Sequence, residues 1–121
     1  MLPVVAFIGI IAAGVAIGFV AFHVMKVTVK AIIGLVHQFR AKRAKKVLVA
    51  EINAMAAQCT NHKSLEELEK LKDQGVTHVA AGIDENGQLV DNVWTIQNED
   101  DEVPYEVTET LGEEGTLVIE V

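Results

Sequence analysis

LPVVAFIGIIAAGVAIGFVAF, residues 2 to 22, holds no Asp, Glu, Lys or Arg, and the charge-free stretch extends from Met1 to Met25 with only His23 ionisable. How this run is read decides the fold. About 20 apolar helical residues cross the hydrocarbon core of a bilayer, so the run is long enough to span one. A cleaved signal peptide would place basic residues ahead of the apolar segment, yet the first basic residue, Lys26, follows it. A pilin-type anchor would carry a glutamate near its start, and none is present. A buried helix of this length would need a much larger protein around it. The expectation is a transmembrane helix over 1–25. Its small residues recur at helical spacing: Gly9 with Ala13, and Gly14 with Gly18 as a GxxxG pair. In lipid such residues let helix backbones approach closely, so Gly9, Ala13, Gly14 and Gly18 are the candidate helix-packing face.

Charge follows in two blocks. Residues 1–50 carry seven Lys/Arg and no acid, whereas residues 51–121 carry three lysines against all seventeen acidic residues, a net of −14. The chain's overall −7 therefore hides an apolar, then basic, then acidic order. FRAKRAKK, residues 39 to 46, is the densest basic part. On a helix its charges would surround the axis and form no single face, unlike a nucleic-acid groove reader, and the acidic half would repel a polyanion. Nucleic acid is thus an unfavoured partner. Lys26, Lys30, Arg40, Lys42, Arg43, Lys45 and Lys46 instead suit anionic lipid headgroups where a helix leaves the membrane. Basic residues flanking a span favour the cytoplasmic side, which predicts the N-terminus outside and the C-terminal domain cytoplasmic.

Met25 to Phe39 keeps helical apolar spacing with one polar stripe of Lys26, Lys30 and His37, and beyond it VLVAEINAMAAQ (47–58) keeps helical spacing at Leu48, Ile52, Met55 and on to Cys59. Residues 26–60 read as a basic stalk helix continuing the span, broken at CTNHK (59–63). Residues 61–121 read as a small acidic α+β head. Ser64 with Glu67 signals a helix start and Gly75 its stop. VTHVAAGID and QLVDNVWTIQ flank Glu85-Asn86-Gly87, a hairpin signal. VPYEVTETL and TLVIEV flank Gly112–Gly115 as a second hairpin. The expected fold is a membrane-anchored α+β protein: one transmembrane helix, a stalk helix, then a small helix and about four antiparallel strands. Trp94, Ile96, Tyr105, Val107, Leu117 and Ile119 are the expected core or interface of the head, whose last strand leaves an open sheet edge.

No catalytic constellation accompanies this layout. The chain lacks GxSxG, GxGxxG, a P-loop and HExxH. Cys59 and His62 make a CxxH pair, but two ligands are too few for a metal site. DENGQLVDN (84–92) lacks the glycine and glutamate of a calcium loop. The lone Cys59 fits a reducing compartment. Neither a metal nor a cofactor is expected. The order of anchor, basic stalk and acidic head is similar to small bacterial and phage membrane proteins, a likeness of architecture that assigns no residue a role. The expectation is a non-enzymatic single-pass protein whose head docks a partner or oligomerises. The alternative is a structural or accessory subunit of a larger assembly: a lipid-containing virion, a phage component entering the host envelope, or a membrane complex.

Overall fold

The computed structural model describes residues 3–121. Along it lie α1 (Val4–Ala16), β1 (Val20–Met25), α2 (Val29–Ala41), β2 (Lys46–Glu51), α3 (Ile52–Gln58), α4 (His62–Asp73), β3 (His78–Ile83), β4 (Val93–Asn98), α5 (Tyr105–Leu111) and β5 (Thr116–Glu120). The strands form one sheet in the order β1-β4-β3-β2-β5. β1 runs parallel to β4, and the other pairings are antiparallel. Phe7, Ile8 and Ile11 of α1 join Met55 of α3 and Leu68 and Leu71 of α4 over one face. Ile32, Leu35 and Phe39 of α2 join Val107 and Leu111 of α5 over the other. The described residues form a small α+β fold of five helices and a mixed five-stranded sheet, layered helix–sheet–helix.

The apolar run therefore does not form one helix. α1 ends after 13 residues, about 20 Å of rise against a hydrocarbon core of about 30 Å. Gly18 stops it in the left-handed region at φ +82°. There the Gly18 amide donates to the Val15 carbonyl and the Phe19 amide to the Gly14 carbonyl, closing the last turn. The remainder of the run becomes β1. Among the described residues no helix is long and apolar enough to cross a membrane. The membrane-anchored fold, the transmembrane helix running into a stalk, and the single-pass topology with its cytoplasmic C-terminal domain are corrected accordingly. The physical reason is that a protein core and a bilayer reward the same apolar composition; here the sheet supplies the partner.

The stalk is corrected too. Val47, Leu48, Val49 and Ala50 are each at most 1 % exposed, because β2 lies between β3 and β5 with helices over both faces. A strand buried on both sides reads as a continuous apolar run, which imitates helical spacing over so short a window. α3 begins only at Ile52. Similarly VPYEVTETL, read as a strand, is helix α5: Pro104 opens it, and Val107 and Leu111, four apart, enter the core beside α2. α4 starts two residues before the expected Ser64, with the Asn61 side chain accepting the Ser64 amide. The β3–β4 connection turns at Asp84, whose Oδ1 accepts the Asn86 and Gln88 amides, with Gly87 at φ +76°.

Candidate functional site

Two surface features stand out. The first is the β1 edge of the sheet. Val93 donates its amide to the Phe19 carbonyl and Glu99 donates to the Met25 carbonyl, so odd-numbered residues of this strand turn their backbone groups toward β4. Parallel ladders alternate, which leaves the N–H and C=O groups of Val20, Phe22 and Val24 pointing out of the sheet. Their side chains share one face, where Phe22 is 58 % and Val24 68 % exposed. Ile17 and Phe19, just before the strand, are exposed as well. Edge strands are commonly guarded by charge or proline. From Val4 to Met25 this chain has neither.

On the other face of β1, His23 stacks on Trp94 with ring centroids 3.7 Å apart. Ile96 separates His23 from His78 in the register of β1, β4 and β3. His78 is buried, its Nδ1 2.9 Å from the Thr77 hydroxyl oxygen. That hydroxyl donates to the Ile96 carbonyl and accepts the Asn98 amide, so its remaining lone pair meets a protonated Nδ1. Nε2 of both histidines is buried without a partner among the described residues. Burial without a compensating bond to the charged form pushes the pKa of His78 down to about 4.

The second feature is a cleft of about 680 Å³ where α2 ends and β2 begins, lined by Arg40, Lys42, Arg43 and Lys45 and also by Asp84, Glu85 and Asn86. α1, α2 and α4 end in the same way, with paired amides returning to the last carbonyls. In α1 and α4 the left-handed position of this motif is Gly18 and Gly75; in α2 it is Arg43, at φ +70°. A side chain held there costs roughly 1–2 kcal/mol, and retained strain of this kind points to function. Lys42 donates to Asp91 at 2.6 Å. Partial burial works against ionisation of Asp91, but this hydrogen bond, the Asn92 amide and the lysine charge together hold its carboxyl below the usual range. Arg40, Arg43, Lys45 and Lys46 form no salt bridge among the described residues.

The residues singled out in the sequence fall as follows. The seven cations do not form one patch. Lys26 and Lys30 lie near the start of α2, and the other five lie at its far end, about 15 Å along the axis. Gly14 packs within the chain, where an added Cβ would lie 2.7 Å from Leu89 and 3.4 Å from Val93. Gly18 ends α1, Gly9 has open space around it, and Ala13 is exposed. Ile96 and Val107 are buried; Trp94, Leu117 and Ile119 are half-buried; Tyr105 is exposed. Cys59 donates its thiol to the Asn61 carbonyl and His62 reaches Glu66. No group of three or more His, Cys, Asp or Glu among the described residues could hold a metal ion. Sequence reasoning missed the β1 edge, whose signal is Phe22-His23-Val24, beginning four residues after Gly18. It also missed the strain at Arg43, which has no sequence signal. Compared with known protein families, curated proteins and solved structures, the chain finds no match.

Proposed function

We propose that this chain is a non-enzymatic assembly module that pairs with a second copy of itself along β1. One observation carries the reading: an open, uncharged sheet edge whose outward backbone groups and apolar side chains lie together. An antiparallel twofold centred on Phe22 sets Phe22 against its counterpart and Val20 against Val24 of the other copy. Each opposed pair exchanges two hydrogen bonds. This symmetry closes on itself, so assembly stops at a dimer. Charge favours this edge over the other one, because β5 carries Glu120 and follows Glu113 and Glu114, which would repel their copies. Phe22 and Val24 each have about 1–2 kcal/mol of burial still to gain. Backbone hydrogen bonds add about 0.5–1.5 kcal/mol apiece. Summed over both copies these gains come to about 7–17 kcal/mol against an association cost of about 4–15 kcal/mol, a range that includes the roughly 8 kcal/mol of a micromolar dimer.

Sedimentation velocity on the full chain tests this. Wild type should be dimeric at tens of micromolar, and Phe22→Lys and Val24→Lys should each be monomeric with an unchanged far-ultraviolet circular dichroism spectrum. A wild type that stays monomeric at several hundred micromolar, or a dimer that survives both substitutions, would refute pairing through β1.

A further inference from the structure

The basic cleft is separate from the β1 edge and lies at the end of the sheet where β2 begins and β3 ends. In a chain with seventeen acidic residues and ten basic ones, cations should find carboxylates easily. Lys42 does, in Asp91. Arg40, Arg43 and Lys45 line the same cleft and make no salt bridge among the described residues. Asp84 and Glu85 line the cleft as well, and Asp84 Oδ1 accepts the Asn86 and Gln88 amides. The helix end behind the cations is muted. The Phe39 carbonyl takes the Lys42 and Ala44 amides, and the Arg40 carbonyl takes the Arg43 amide, so these carbonyls do not face an incoming anion. The left-handed backbone at Arg43 closes α2 as glycine does in the two sister motifs, so the closure itself does not call for an arginine side chain. What that conformation does provide is a guanidinium at the cleft.

We infer that this cleft binds a small organic phosphate. Arg40, Arg43 and Lys45 hold the phosphoryl oxygens, guanidinium groups being suited to two-pronged contacts with such oxygens. Glu85 and Asn86, which also line the cleft, accept hydroxyl or amino donors from the ligand's organic part. This mixed lining disfavours a plain polyanion, which would meet Glu85 with a like charge. The cleft's volume is within the usual range for small-molecule sites.

Calorimetric titration of the full chain with ribose 5-phosphate tests the assignment. Wild type should bind one equivalent saturably. Arg43→Gln and Lys45→Gln should each bind at least about tenfold more weakly, the loss expected for one charge-assisted contact. Lys30→Gln, at the far end of α2, should bind as wild type does. Absence of saturable binding at millimolar ligand, or an equal loss in Lys30→Gln, would overturn the site. So would unchanged binding in both cleft variants. Binding to phosphatidic acid vesicles or to single-stranded DNA with no binding of the sugar phosphate would show a lipid or nucleic-acid surface instead, and would overturn the small-molecule assignment.

Discussion

Acidification should destabilise this protein through His78 before its carboxylates are protonated. The imidazole is 2 % exposed, and its pKa falls from 6.5 to about 4 on folding because burial disfavours the charged ring. The unfolded chain therefore takes up the proton first as pH drops. The contribution of neutral His78 is intact above pH 6.5, erodes between 6.5 and 4, and is flat below. At about 1.4 kcal/mol per pKa unit the full loss is about 3 kcal/mol, of which about 2 kcal/mol is gone by pH 5. A small domain has only about 5–15 kcal/mol in total, so the effect should be plain in urea titrations at pH 7.5 and pH 5. Trp94 is the only tryptophan and supplies the fluorescence signal. His78→Gln is the control: it can keep a hydrogen bond to the Thr77 hydroxyl but cannot titrate. The stability lost between the two pH values should be smaller by about 2 kcal/mol in the variant. Equal losses in wild type and variant would refute the account of His78 as a buried neutral base.

Two further substitutions test the packing. Arg43→Gly relieves the left-handed strain at the end of α2 and should raise stability by about 0.5–1 kcal/mol, measured by thermal unfolding, while weakening phosphate binding; a destabilised variant would mean the guanidinium has a structural role. Gly9→Ala replaces a mid-helix glycine with nothing within 4 Å of the new Cβ and should stabilise by about 0.5–1 kcal/mol without changing the sedimentation profile, whereas altered association would restore Gly9 to an assembly face.

Several local features were legible because their causes lie within a few residues. The helix of 62–73 announces itself through Ser64, Glu67 and the leucines, although its cap is Asn61, and its stop through Gly75, whose φ of +91° suits glycine best. The turn at 84–87 and the strand at 116–120 follow from Asn86-Gly87 and from TLVIE. Tyr105 to Leu111 was misread because Tyr105, Val107 and Leu111 satisfy a two-residue period on paper; packing against α2 selects the four-residue spacing of Val107 and Leu111.

The sequence by itself determined that the charge-free run of residues 1–25 favours an apolar surrounding, that Gly75 could end a helix, and that cations would gather at 40–46. Only the tertiary structure decided where the apolar run goes. Hydrophobic burial is non-directional, so composition cannot distinguish lipid from the face of a sheet. That choice came from β4 offering β1 a hydrogen-bonded partner and from the sheet offering α1 a surface for Phe7, Ile8 and Ile11. The same long-range pairings exposed Phe22 and Val24 on an edge and gathered Arg40, Arg43 and Lys45 at a cleft. Both features depend on residues distant in the chain, such as Glu85 and Val93, and no local pattern encodes such contacts.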